Sequence, residues 1–192
     1  AEIGVAFDGD ADRIGVVDRD GRIIWGDHVL ILYARDVLAR TGRGQPIIFD
    51  VKCSQALTHG IEAAGGVAVM WKTGHSLIKE KMKEMHAPIA GEMSGHMFFT
   101  EGFYGHDDAL YAAARLLRII ADSGKRLDEL LADVPPFVST PELRIDTDET
   151  EKFAIVERAA VHFKATHDVI EVDGVRVLFG DGWGLLRASN TQ

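Results

Sequence analysis

Three carboxylates stand at alternate positions in Asp8-Gly9-Asp10-Ala11-Asp12-Arg13, directly after the apolar run Ile3–Phe7. The small residues between them let the loop turn three oxygens toward one hard cation. Mg²⁺ takes such ligands while keeping positions open for water or a phosphate oxygen. Three uncompensated carboxylates so close together repel one another, so Asp8, Asp10 and Asp12 are expected to hold a cation. An EF-hand is excluded. Its sixth position requires glycine and its twelfth glutamate, and Arg13 and Arg19 stand there.

A competing reading of the loop stays open at this level. A strand ending in Asp-x-Asp also begins the haloacid-dehalogenase type of phosphatase, with Asp8 as nucleophile, Asp10 as acid/base and Asp107-Asp108 as the later acidic pair. Against it, Asp12 stands where that type has threonine or valine. Further reactive side chains fall in other loops: Lys52, then Lys72 to Ser76 with His75, then Gly91-Glu92-Met93-Ser94-Gly95-His96. Glu92 and Ser94 suit sugar hydroxyls, Lys52 a phosphate or a proton, and a histidine proton transfer. Gly91 and Gly95 mark a backbone that approaches its ligand closely. Near the end, Arg187-Ala188-Ser189-Asn190-Thr191 combines a guanidinium fork with hydroxyls and amides, a cradle for phosphate. Cys53 has no base partner in sequence and reads as structural, and His59, His86, His162 and His167 read as packing or surface residues.

These loops need elements to hold them. Strands are expected at Ile3–Phe7, Ile14–Val17 and Ile23–Trp25, with Asp20-Gly21 as a turn. Asp27 is expected to cap a helix that ends at Thr41-Gly42. Strands at Ile47–Phe49, Val67–Trp71, Pro88–Ala90 and Met97–Thr100 alternate with helices at Gln55–Ala64 and Ser76–Met85. This pattern implies a mixed, mostly parallel α/β sheet with helices on both faces. The carboxyl ends of its strands would gather Lys52, His75, Glu92, Ser94 and His96 on one edge, where open α/β sheets bind ligands. A long helix starts at Asp107 or Asp108 and presents Leu110, Leu116, Leu117 and Ile120 to the core. Trp25, Trp71 and Phe49 are also assigned to the core or near it. After Val134-Pro135-Pro136 the pattern turns to α+β: a strand near Leu143–Ile145, a helix around Glu149–Ala165, a hairpin over Val169–Phe179 and a strand at Trp183–Leu186.

The composition, 46% hydrophobic and 27% charged over 192 residues, is that of a globular chain. A net charge of −9 without a basic stripe argues against nucleic-acid binding, and no apolar run is long enough to span a membrane. One cysteine leaves no internal disulfide and fits the cytoplasm. The chain opens at Ala1 almost inside a strand and stops at Gln192 after a polar loop, so it is expected to be a piece of a longer protein.

Together the loops resemble the α-D-phosphohexomutase superfamily, in its bacterial phosphomannomutase/phosphoglucomutase branch. Asp8–Arg13 matches the metal loop, Gly91–His96 the sugar-recognition loop and Arg187–Thr191 the phosphate-binding loop, while Asp50–Cys53 and Lys72–Ser76 look like the family's third domain. The resemblance implies a four-domain isomerase with its active site where the domains meet. Such an enzyme interconverts glucose or mannose 1- and 6-phosphates through a phosphoserine and a bisphosphorylated sugar. On this resemblance Mg²⁺ sits on Asp8, Asp10 and Asp12, and Arg13 orients the phosphate. Glu92 and Ser94 hold the 3- and 4-hydroxyls, His75 also contacts substrate, and Lys52 and His96 are acid/base candidates. Arg187, Ser189, Asn190 and Thr191 grip the phosphate that is not transferred. Residues 1–22 would be the tail of domain two, 23–136 domain three and 137–192 an incomplete α+β domain four. The phosphoserine loop is absent, so the chain would need the missing N-terminal domains as partner and be inactive alone. A non-catalytic sugar-phosphate or metal-binding module is the remaining alternative.

Overall fold

The computed structural model describes residues 1–189 and forms two compact units, Ala1–Pro136 and a second beginning at Phe137. In the first, β1 (Ile3–Phe7), β2 (Ile14–Asp18) and β3 (Ile23–Ile24) make an antiparallel meander. Phe7 pairs with Ile14, so Asp8–Arg13 is the tip of the β1–β2 hairpin. The β2–β3 turn is held by the buried Asp18, whose Oδ1 accepts from the amides of Asp20 and Arg22 at 2.9 Å each.

Next come α1 (Gly26–Thr41), β4 (Pro46–Asp50), α2 (Gln55–Ala63), β5 (Val67–Trp71), α3 (His75–Met85), β6 (Ile89–Gly91), β7 (Met97–Phe99), α4 (Ala109–Ser123) and the short α5 (Leu127–Leu130). The sheet order is β5-β4-β6-β7, with β4 parallel to both neighbours and β7 antiparallel at the edge. Alternation along β4 separates the two faces. Ile47 and Phe49 pack with α1, α2 and α4, while Ile48 packs with Ile78 and Met82 of α3. Helices therefore cover both faces, and the near-continuous apolar strands are those of a doubly buried parallel sheet.

Several sequence expectations change. Trp25 is the N-cap residue of α1 and is 54% exposed, outside the core. In α4 the buried apolar positions are Ala109, Ala112, Ala113 and Leu116, the i, i+3, i+4, i+7 face, with the Arg115 side chain buried beside them. Leu110 and Leu117 lie to one side of this face and are exposed. Asp27 does not cap α1. It lies in the first turn, fully buried, where one oxygen takes the His28 amide and ring Nδ1 at 2.9 Å each and the other takes the Ser54 amide at 3.0 Å. It therefore secures the start of α2, of which Ser54 is the N-cap residue.

This arrangement carries a stability prediction. Burial works to raise the Asp27 pKa, but the His28 and Ser54 bonds outweigh it and hold the carboxyl below its ordinary 3.8. A folded value below the unfolded one means stability that is present above the unfolded pKa and lost as pH falls through the folded one. Asp27→Ala is expected to lower unfolding free energy by about 2–3 kcal/mol near neutrality. In urea titrations the gap from wild type should narrow between about pH 5 and about pH 3.

The second unit holds α6 (Lys152–Lys164), β8 (Val169–Ile170), β9 (Val175–Leu178) and β10 (Trp183–Leu186), the strands antiparallel in the order β10-β9-β8. Its small core is Ala160, Val175 and Val177. The strand expected at Leu143–Ile145 is not formed. Among the described residues no strand pairs with it, and Leu143 and Ile145 are exposed.

Candidate functional site

The acidic hairpin tip is shaped by its own backbone. Ala11 adopts a left-handed φ of 60°, unusual for a residue with a Cβ. Its amide donates to the Asp8 carbonyl at 3.2 Å and its carbonyl accepts from the Ala109 amide at 3.0 Å. The turn directs one carboxylate oxygen each of Asp8, Asp10 and Asp12 to within 4.8 Å of one another, near enough for side-chain adjustment to bring them into one Mg²⁺ shell with its bonds of about 2.0–2.1 Å. Asp12 Oδ1 is buried with no hydrogen-bond partner. His96 Nε2 at 3.4 Å and Arg13 Nε at 3.7 Å make ion-pair contacts with it but no hydrogen bond, and three hard carboxylate donors so placed fit Mg²⁺. Arg13 folds back onto the loop, its amide and Nε donating to the two oxygens of Asp8 at 3.1 and 2.5 Å. Desolvation opposes the shift, but the Arg13 bonds and charge hold the Asp8 carboxyl below its ordinary range.

The carboxyl ends of β4, β5 and β6 place their loops on one edge. Lys52 follows β4, Thr73-Gly74-His75 follows β5 and Glu92–His96 follows β6. Because β5 and β6 lie on opposite sides of β4, the chain reverses direction beside β4, and such switch points open a crevice in α/β sheets. Glu92, 3% exposed, accepts from the Gly74 amide at 2.7 Å and lies 2.8 Å from His96 Nδ1. Ser94 Oγ is 2.9 Å from the same nitrogen. The opposite ring nitrogen, Nε2, is 3.4 Å from Asp12 Oδ1, and the His75 ring faces that of His96 at 6.2 Å between centroids, tilted by 30°. The acidic hairpin and the Glu92–His96 loop are thus one structure, joined further by the Ile14 amide donating to the Gly95 carbonyl at 3.1 Å. Gly95 permits this approach: its φ is 99°, and a Cβ there would fall 2.5 Å from the Ile14 carbonyl oxygen.

Burial works against charge throughout the site, and the pairing overrides it. His96, Gly74 and Lys52 leave Glu92 below its ordinary pKa despite burial. Glu92, Asp12 and Asp107 raise His96 above its ordinary value despite burial. In the second unit, Arg187 is held by Asp173, with Nε and a terminal nitrogen 3.1 and 3.0 Å from Oδ2, and Ser189 follows it, exposed. Asn190 and Thr191 lie outside the described residues.

Two site residues escaped the sequence reading. Asp107, read as a helix start or as half of a phosphatase's acidic pair, reaches the site: its carboxylate accepts from Lys79 Nζ at 3.2 Å, and it clusters with Asp12 and His96 within 4.8 Å. Asp50, the last residue of β4, lies fully buried beneath the loops. Its position at the end of the central strand was the available signal. The phosphatase reading finds no support: Asp108 of its later acidic pair is instead the N-cap of α4, accepting from the Tyr111 amide at 2.8 Å.

A doubly covered, mostly parallel sheet whose edge loops meet an acidic hairpin is the arrangement of the phosphohexomutase fold. Residues 25–137 match the phosphoglucomutase/phosphomannomutase alpha/beta/alpha domain III, and residues 142–192 match the C-terminal domain of the same proteins. The chain belongs to the phosphoglucomutase/phosphomannomutase family. It is 52% identical to a phosphomannomutase/phosphoglucomutase of Pseudomonas putida over 194 residues, covering 100% of this chain and 41% of that relative. The crystal structure of a phosphoglucomutase/phosphomannomutase family protein from Burkholderia thailandensis superposes with a TM-score of 0.89 at 49% identity, over 100% of this chain and 41% of that one. An Aspergillus fumigatus N-acetylphosphoglucosamine mutase, solved with GlcNAc-6P and magnesium, shares the fold at TM-score 0.56 and 19% identity, over 67% of this chain and 32% of that one. The chain therefore spans well under half the length of these relatives. No helix among the described residues is long and apolar enough to cross a membrane.

Proposed function

We propose that this chain supplies the metal- and sugar-recognising part of a cytoplasmic phosphohexomutase that interconverts the 1- and 6-phosphates of glucose and mannose. Residues 1–22, 23–136 and 137–192 would belong to its second, third and fourth domains. The single observation that carries the reading is the hydrogen-bonded union of the acidic hairpin with the Glu92–His96 loop, which puts a cation site and a sugar-type carboxylate side by side. The magnesium and sugar phosphate held by the Aspergillus mutase fit this reading. Bound to Asp8, Asp10 and Asp12, Mg²⁺ would neutralise charge on the phosphoserine of the preceding domains.

Glu92 and Ser94 accept and donate to the sugar's 3- and 4-hydroxyls, which glucose and mannose share, so both sugars are substrates. His75, exposed beside His96, adds a contact to the bound sugar phosphate. Arg13, already turned onto the metal loop, orients the phosphoryl group. The sugar oxygen that receives this group must lose a proton. Lys52 takes that proton, and in the reverse step returns it to the oxygen that leaves. Both nitrogens of His96 face carboxylates, so its part is to carry positive charge between Glu92 and Asp12 and fix both. Arg187 with Ser189, Asn190 and Thr191 holds the phosphate that stays on the sugar.

The test is turnover by the complete mutase that carries this segment. Glucose 1-phosphate and mannose 1-phosphate should both be converted with kcat/KM values within about 1000-fold of each other. A folded, Mg²⁺-supplied enzyme that leaves both unchanged would sink the reading.

A further inference from the structure

Beneath the three edge loops lies a carboxylate that the reaction above does not use. Asp50 ends the central strand, with its side chain shut off from solvent. Each loop on the edge contributes a bond to it. Oδ1 accepts from Cys53 Sγ of the β4 loop and from the Met93 amide of the β6 loop, both at 3.0 Å. Oδ2 accepts from Thr73 Oγ1 of the β5 loop at 3.2 Å. The same oxygen lies 3.9 Å from Lys52 Nζ. The β5 loop is thereby gripped at consecutive residues by two buried carboxylates, Thr73 by Asp50 and Gly74 by Glu92.

A buried carboxylate is an expensive way to join loops, because its desolvation is only partly offset by neutral donors. An asparagine of the same size could keep the Met93 bond on its oxygen and donate from its NH₂ to the Thr73 hydroxyl, which can accept as well as donate. What only the carboxylate supplies is negative charge beside the part-exposed Lys52 nitrogen, 3.9 Å away, which holds that side chain and stabilises it once it carries the proton.

We propose that Asp50 is the positioning residue for Lys52: it aims the side-chain nitrogen, which takes the proton as the free amine and leaves as the ammonium, at the reacting sugar oxygen and locks it in register with the Glu92–His96 loop. This inference rests on Lys52 being the proton carrier. A displacement of about 1 Å in a reacting group costs up to about 100-fold in rate, so the effect falls on turnover more than on affinity.

The test is a double-mutant cycle in the complete mutase. Asp50→Asn keeps the volume and one acceptor for the Met93 amide but removes the charge under Lys52. It is expected to lower kcat about 10- to 100-fold, with KM for glucose 1-phosphate within about threefold of wild type. Added to Lys52→Ala, it should lower kcat by less than about threefold more, because a residue that acts through Lys52 has nothing left to position. Asp50→Asn at the wild-type rate, or with an equal loss in both backgrounds, overturns the proposal. If Lys52→Ala itself turns over normally, the role of Lys52 fails first and this inference with it. Should Asp50→Asn not fold, a structure of the wild-type complete mutase with bound hexose phosphate decides. Lys52 Nζ touching the sugar phosphate while still beside Asp50 supports the proposal, and Lys52 swung away from Asp50 overturns it.

Discussion

Replacing Asp10 with alanine is expected to remove Mg²⁺ binding from this chain and, in the complete mutase, to lower kcat by at least about 1000-fold, the several kcal/mol that metal neutralisation of a transferring phosphoryl group supplies. Asp10 is the cleanest of the three positions to change. Asp8 is tied to Arg13 and Asp12 faces His96, so replacing either disturbs the hairpin, whereas Asp10 is exposed at the tip. The sign of the stability effect separates metal loss from misfolding. Without metal, the variant relieves repulsion among three carboxylates whose oxygens lie within 4.8 Å, so its melting temperature should equal or slightly exceed that of wild type. With Mg²⁺ at ten times its dissociation constant, wild type should gain about 1.4 kcal/mol by mass action and the variant almost nothing. Calorimetric titration and thermal melts with and without Mg²⁺ read both effects. A variant that binds Mg²⁺ as wild type does removes the hairpin from the reaction.

The order and type of the elements were legible because the parallel strands are apolar on both faces and the turns carry glycine at the needed places, as at Gly42, which ends α1 with φ 93°. The edge loops were legible for the same reason: once three strands run parallel, their carboxyl ends share an edge. What sequence could not supply was contact between segments far apart in the chain. Asp27 looks like an N-cap by position, yet its role is set by Ser54, a residue of the next loop. Leu110 and Leu117 look like core residues by type, but a helix face is chosen by what packs against it. Asp50 and Asp107 are ordinary acids in sequence. Only the convergence of Cys53, Thr73 and Met93 on one, and of Lys79, Asp12 and His96 near the other, gives them a role. The Leu143–Ile145 strand fails differently: an alternating segment becomes a strand only where a sheet edge accepts it, and among the described residues none does.

Glu92→Gln is expected to weaken substrate use and stability together, and the pH dependence shows why. Both oxygens of Glu92 are engaged, one by the Gly74 amide and the other by His96 and Ser94. A glutamine must turn its NH₂ toward one of these donors, so a buried donor loses its acceptor and a charge-assisted bond is lost, about 2–3 kcal/mol of stability. In the complete mutase the hydroxyls it binds lose their charged acceptor, and kcat/KM for glucose 1-phosphate should fall by about 100- to 1000-fold, with KM raised. The folded pKa of Glu92 lies below its ordinary 4.5, so its contribution is complete above that pH and lost as pH falls through the folded value. The folded pKa of His96 lies above its ordinary 6.5, so its contribution is complete below that pH and lost as pH rises through the folded value. The stability gap between wild type and Glu92→Gln should therefore be widest between pH 4.5 and 6.5 and shrink on both sides. Urea unfolding of this chain in chelator-containing buffers from about pH 3 to about pH 9 measures the gap. A gap that stays flat across that range would show that the pair does not exist as an ion pair. Glu92 would then act without His96, and the link between the Glu92–His96 loop and the acidic hairpin would rest on the Ile14–Gly95 backbone bond, the Arg13–His96 backbone pairing and the His96–Asp12 contact.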